Sequence, residues 1–276
     1  MLELSDDKIY TTFMSQIGYR GLYNKKATAP YRLSRSKIEL FTQCQRCFWL
    51  EARKGIKRPS SPPFNINKAI DELFKKEFDF YREKQQPHPL MKQYKVDAVP
   101  YQHKEIDTWR HNFSGVSYLH KEANLLIFGA IDDVWVNPKG ELIVVDYKAT
   151  AKDAPVKELR EEGSWHDTYR RQMEVYQWLL AKNGFPVSDT GYFVYATGGW
   201  AHEKFDNILK FETHVFAHNG NSGWVEQTVK AMKSCLDSDE MPAVGTAAMG
   251  GLCEHCEYAK ARTRLTLEHL KMAESK

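Results

Sequence analysis

Leu125-Leu126-Ile127-Phe128-Gly129-Ala130-Ile131-Asp132-Asp133-Val134-Trp135-Val136, then Asn137-Pro138-Lys139-Gly140, then Glu141-Leu142-Ile143-Val144-Val145-Asp146-Tyr147-Lys148, is the stretch that decides the fold. Two runs rich in β-branched and aromatic residues flank a Pro- and Gly-containing turn, the pattern of a β-hairpin. Alternation along the return run puts Asp146 and Lys148 on one face and Tyr147 on the other. Pairing about the turn midpoint sets Asp132 opposite about residue 145, one short of Asp146. The register is therefore open by one residue, and with it the distance between the two carboxylates.

Outward from the hairpin, residues 115–120 read as a short mixed strand. Residues 85–112 are polar and interrupted by Pro87, Pro89 and Pro100, with no clear period. Ser36-Lys37-Ile38-Glu39 has the form of a capping box, which predicts a helix carrying Ile38, Phe41, Phe48 and Leu50 inward and ending near Gly55. After a proline-rich break at 59–63, a second helix is predicted over about 67–84, with Ala69, Ile70, Leu73, Phe74 and Phe78 on one face. On the far side, helices are predicted over about 168–182 and 222–236 and strands over 192–197 and 208–216. Strands embraced by helices make an α/β or α+β domain.

The 276 residues carry 42% hydrophobic and 27% charged side chains, ordinary globular usage that excludes wholesale disorder. No stretch approaches the roughly 20 apolar residues of a membrane span. The start, Met1-Leu2-Glu3-Leu4-Ser5-Asp6-Asp7, has no apolar core and predicts no secretory signal, so a cytoplasmic protein is expected. Net charge is only +3, but eleven basic and two acidic residues fall between Arg20 and Arg58, a local excess of +9. Such a segment suits either a phosphate backbone or a plain solvated surface. Five cysteines in a reducing compartment make a poor disulfide framework.

Two carboxylates and a main-chain carbonyl form a hard oxygen site suited to Mg²⁺ or Mn²⁺. A lysine beside them, Lys148, can position a water and offset developing negative charge, as phosphodiester hydrolysis requires. A lone Asp-x-Lys, by contrast, commonly just ends a strand in water. Cys44-x-x-Cys47 and Cys253-x-x-Cys256 have knuckle spacing, and their four thiolates suit Zn²⁺ or an iron–sulfur cluster. Cys235, inside an amphipathic helix, reads as an apolar packing residue, and His255 as an exposed side chain. Trp49 and Trp165 could stack on bases, though core packing is the commoner fate of tryptophan.

In this order the motifs resemble those of the PD-(D/E)xK nuclease superfamily, and within it the RecB-like branch that includes CRISPR-adaptation exonucleases with an iron–sulfur cluster. The resemblance rests on Leu33–Phe41 with Cys44-Gln45-Arg46-Cys47-Phe48-Trp49-Leu50, Gly129-x-x-Asp132, Asp146-Tyr147-Lys148, Gln172-x-x-x-Tyr176 and Cys253-Glu254-His255-Cys256-Glu257-Tyr258. It implies a restriction-endonuclease-like core with a mixed central β-sheet flanked by helices, spanning 33–262. An irregular basic segment (1–32) would precede it, and a tail (263–276) would follow. A cysteine-bound cluster would join the N- and C-terminal segments.

The same resemblance implies that Asp132, Asp146 and the Tyr147 carbonyl bind Mg²⁺ or Mn²⁺. Lys148 would be the catalytic lysine, and Gln172 and Tyr176 would line the site. Cys44, Cys47, Cys253 and Cys256 would hold a [4Fe-4S] cluster, with zinc as the alternative. Asp71 stands where the branch commonly has a histidine ligand, and Cys47 stands in for a C-terminal cysteine at the position of Arg262. DNA is the implied substrate, contacted by Arg35, Arg46 and Arg53. A helicase or nucleic-acid-processing complex is the implied partner, and exonuclease action the implied activity. Two competing readings remain: an inactive DNA-binding scaffold on the same fold, and a zinc-stabilised binding module of another fold.

Overall fold

The computed structural model of the chain describes residues 21–60, 62, 64–159, 163–201, 203–246 and 251–274. Residues 1–20, most of the expected N-terminal segment and with it Arg20, lie outside the described residues. Strand β1 (Tyr31–Ser34) runs directly into α1 (Arg35–Gln43), and α2 (Gln45–Lys54) follows after Cys44. The single helix expected over this stretch is thus two, because Cys44 is extended (φ −157°, ψ 105°) and caps the second. The N-cap of α1 is Ser34 rather than Ser36, and the hydroxyls of the two serines bond each other at 2.8 Å. Glu39 is no capping residue, since its carboxylate takes the Arg171 guanidinium in two bonds of 2.9 and 2.7 Å.

Helix α3 (Asn65–Lys84) buries Phe74, Phe78 and Arg82, while Ala69 and Leu73 face solvent instead of the core. The unassigned stretch that follows holds α4 (Pro89–Gln93), β2 (Val99–Pro100) and α5 (Ile106–Arg110). Next come β3 (Val116–His120), β4 (Leu125–Gly129), β5 (Asp133–Val136) and β6 (Leu142–Lys152). The chain continues through α6 (Asp167–Lys182), β7 (Thr190–Gly199), β8 (Phe211–Asn219), α7 (Gly223–Asp237) and α8 (Glu254–Glu274).

The fold is mixed α/β, with helices flanking mixed sheets. The strands divide into a three-stranded sheet ordered β1-β4-β3 and a five-stranded sheet ordered β2-β5-β6-β7-β8. Each sheet holds one parallel pair, β1 with β4 and β6 with β7. The run 125–136 is therefore two strands in two sheets, broken at Ala130 to Asp132. At the break the Ile131 amide turns to the Trp109 carbonyl at 3.0 Å. Glycine is required at its edge, because a Cβ on Gly129 would lie 2.6 Å from the Tyr176 ring.

Alternation along β6 sorts the core. Leu142 and Val144 pack with α6 and α7 residues such as Met173, Tyr176, Val229 and Met232. Ile143, Val145 and Tyr147 pack with Phe74 and Phe78 of α3, and with Trp135 and Val194. Asp146 and Lys148 consequently extend the α6-facing row beyond its apolar part. No helix among the described residues is long and apolar enough to cross a membrane.

Candidate active site and cysteine centre

The hairpin register brings the two acids face to face. Asp133 pairs with Val145 and Val136 with Leu142, which sets Asp132 opposite Asp146. The missing residue of slip comes from the loop. Asn137 still pairs with Glu141, its amide donating to the Glu141 carbonyl at 3.1 Å, so the loop is three residues, 138–140, and Asn137 Oδ1 closes it by accepting the amides of Lys139 and Glu141, both at 3.0 Å. Gly140, at φ +78°, completes the reversal.

Asp146 is fully buried. Its Oδ1 accepts from Gln172 Nε2 at 2.8 Å, and the same amide reaches the Tyr176 hydroxyl at 3.2 Å. Its Oδ2 is in ion contact with Lys148 Nζ and accepts no hydrogen bond of good geometry. Lys148 Nζ also sits 4.5 Å from the centre of the Tyr169 ring. Asp132 is half-buried, with Oδ2 accepting the Tyr147 amide at 2.9 Å. Burial and the neighbouring Asp146 carboxylate push the Asp132 carboxyl up to about 7, against the opposing pull of Lys148 and the Tyr147 amide. Burial works to lower the Lys148 ammonium, but Asp146 and Asp132 outweigh it and hold its pKa above the usual lysine range.

Asp71 comes to the same place from α3. Burial and the charge of Asp132 both raise its pKa, and its Oδ2 accepts from Lys75 Nζ at 2.6 Å. Lys75, which the sequence reading missed, is thus a second ammonium at the site, its pKa raised by Asp71 and Asp132 against burial. Tyr169 was missed as well, and burial with the Asp146 charge pushes it up to about 12. Both lie at helical spacing from a recognised residue, Lys75 four beyond Asp71 and Tyr169 three before Gln172. That spacing is the signal that could have found them.

Beneath the acids lies a buried ion network that sequence reasoning did not find. Asp133 Oδ1 accepts from Arg82 Nη2 and, at 2.9 Å, from Arg110 Nη2. Its Oδ2 accepts from the Tyr147 hydroxyl at 2.7 Å. Arg110 Nε in turn donates to the Asp132 carbonyl at 3.1 Å, so the network fixes the backbone that carries Asp132.

A divalent cation fits this arrangement. Two facing carboxylates repel each other, the buried Asp146 Oδ2 has only the Lys148 ammonium against it, and a second ammonium, Lys75, gathers on Asp71. Each is a sign of anionic charge that a hard cation would neutralise.

The basic residues separate. Arg35 lies beside the site, its Cβ against Gly129 and its charge acting on the Tyr176 hydroxyl. Arg46 instead donates to the Pro242 carbonyl at 2.8 Å, and Arg53 to Asp239 at 2.6 Å. Trp49 is buried with its indole on the Ser238 carbonyl, while Trp165 is half-buried against Tyr169. Cys235 is half-buried against the main core, where burial pushes its thiol up to about 11.

The other four cysteines converge, with all four sulfurs within 4.8 Å of one another. Cys44 to Cys256 and Cys47 to Cys253 are 3.7 Å apart, and Cys47 to Cys256 is 3.6 Å. These are not disulfide distances. Cys44 and Cys253 immediately precede α2 and α8, and Cys47 and Cys256 lie in the first turns of those helices. At α2 the Cys47 amide donates to Cys44 Sγ at 3.5 Å, whereas at α8 the Cys256 amide donates to the Cys253 carbonyl at 3.0 Å, and both sulfur pairs lie at the positive dipole end of a helix. His255 is half-buried between its two cysteine neighbours.

A profile of the PD-(D/E)XK nuclease superfamily matches residues 65–261. Among solved structures, the crystal structure of SSO0001 aligns with 85% of this chain and 89% of that one, at 12% identity and a TM-score of 0.34. No curated protein matches the sequence.

Proposed function

Because the chain belongs to the PD-(D/E)XK nuclease superfamily, we propose that it is a metal-dependent DNA nuclease of the RecB-like branch, acting as an exonuclease in DNA processing, repair or recombination. The observation that carries the reading is the meeting of Asp132, Asp146 and Lys148 at the hairpin end, produced by a register that sets the acids opposite each other.

Asp132, Asp146 and the Tyr147 carbonyl would hold Mg²⁺ or Mn²⁺, with Asp71 in the place of the branch's histidine. The bound ion would polarise the scissile phosphate and lower the pKa of its water. Lys148, held as an ammonium, orients the attacking water and offsets charge developing on the phosphate rather than removing a proton. Gln172 fixes the rotamer of Asp146, and Tyr176 anchors Gln172. Lys75 holds Asp71 in place. Arg35, beside the acids, would meet the DNA backbone, while Arg46 and Arg53 have protein partners. A helicase or nucleic-acid-processing complex that supplies DNA ends, in the cytoplasm, would suit an exonuclease.

The test is incubation of the purified protein with end-labelled single- and double-stranded DNA in Mg²⁺, in Mn²⁺ and in excess chelator. Ion-dependent shortening from an end is the expected result. DNA that is bound but left intact in both metals would overturn the reading and favour a non-catalytic DNA-binding scaffold.

A further inference from the structure

The iron–sulfur cluster implied by the sequence resemblance does not fit the cysteine centre, and we propose that Cys44, Cys47, Cys253 and Cys256 together hold one tetrahedral zinc ion. The argument is one of space. A zinc ion with Zn–S bonds of about 2.3 Å at the tetrahedral angle sets its sulfurs about 3.8 Å apart. The closest sulfur pairs here lie 3.6 to 3.7 Å apart, and all four fall within 4.8 Å. In a [4Fe-4S] cluster each thiolate caps a different iron, and the body of the cluster stands between the sulfurs. Sulfurs already in mutual contact leave room for a single ion.

The surroundings hold that spacing. Cys44 Sγ accepts from the Cys47 amide at 3.5 Å and from the Gly245 amide at 3.3 Å. Cys253 Sγ accepts from Arg58 Nη2 at 3.3 Å. The Cys253 amide bonds the Gly245 carbonyl at 2.7 Å, so Gly245 ties the two pairs together. A Cβ on Gly245 would lie 2.4 Å from the Cys44 Cα, so only glycine allows this approach. Widening the four sulfurs for a cluster would give up the amide bonds to Cys44 Sγ and the Arg58 bond to Cys253 Sγ. The N–H donors and Arg58 also offset the net −2 charge that four thiolates and one divalent ion would carry. Among divalent ions, zinc is favoured over iron by intrinsic affinity and has no objection to a tetrahedral thiolate set. The zinc clips the start of α2 to the start of α8.

The test is metal and acid-labile sulfide analysis of the full chain, purified anaerobically from cells supplied with both iron and zinc. About one zinc per chain, with no sulfide and no visible absorption, is expected. Exchange with Co²⁺ should give the intense visible bands of a tetrahedral cobalt thiolate, and Cys235→Ser should leave the zinc content unchanged. Stoichiometric iron with sulfide would overturn the proposal. So would a chain that carries neither metal and gives no tetrahedral cobalt spectrum.

Discussion

Asp132 and Asp146 lie fourteen residues apart and meet through one hairpin, whereas Cys47 and Cys253 lie 206 residues apart and meet through tertiary closure alone. The acids repel each other and are held by a buried frame of arginines, a tyrosine and a glutamine. The thiolates face two helix N-termini and an arginine, and draw distant segments together. One centre carries charge in tension with its fold and is suited to chemistry. The other relieves its charge through the fold and is suited to holding the chain closed.

The largest effect is expected where the acids meet their frame. Asp133→Ala removes the buried carboxylate shared by Arg82, Arg110 and the Tyr147 hydroxyl and leaves the two arginines with Asp79 alone, a loss of about 3 kcal/mol. Urea unfolding should show that loss, and an unchanged midpoint would remove the frame from the comparison. Removing the clip with Cys47→Ser should lower stability by about 3 kcal/mol, the scale of losing a long-range cross-link. Cleavage per folded molecule should stay within about threefold, at less than ~1 kcal/mol in the barrier. A collapse of cleavage in a folded variant would mean that the two centres are coupled.

How far the sequence reached follows the same division. Alternation on β6 correctly paired Asp146 with Lys148 on one face, and the knuckle spacings correctly grouped four of the five cysteines. The register lay one residue beyond reach because it depends on Asn137 Oδ1 capturing the Glu141 amide, a side-chain event inside the loop. The break between β4 and β5 lies at Gly129-Ala130-Ile131-Asp132-Asp133, residues poor in β-formers inside a longer apolar run, and it is fixed across the fold, where the Ile131 amide leaves the ladder for the Trp109 carbonyl. Arg82, Arg110 and Asp133 stand 28 and 23 residues apart in the chain and meet only through the tertiary structure, so no local spacing marks them.

Two smaller tests sharpen the contrast. Gly129→Ala forces a methyl into the Tyr176 ring and should cost about 1–3 kcal/mol. Through Tyr176 and Gln172 it should also slow cleavage, whereas Gly245→Ala should loosen zinc and leave cleavage by the folded protein near normal. Melting curves, zinc content and cleavage rates on the two variants would separate the centres.

The smallest effect is expected where charges meet water. Lys182 and His120 hold the Glu226 carboxyl down to about 2. With the folded value below the unfolded one, the contribution is present above about pH 4.5 and lost as pH falls toward 2. Screening limits it to less than ~1 kcal/mol. Glu226→Gln should flatten the acid limb of the stability profile by that amount and leave stability at pH 7 lower by the same small margin.

On this reading the hairpin end does the chemistry and the cysteine centre does not. Its most direct test is single-turnover DNA cleavage by Lys148→Ala beside the unaltered protein, with zinc content and DNA affinity measured on the same samples. A rate at least ~100-fold lower, with zinc and DNA binding retained, is expected. An unchanged rate in a fully loaded, folded Lys148→Ala protein would contradict it.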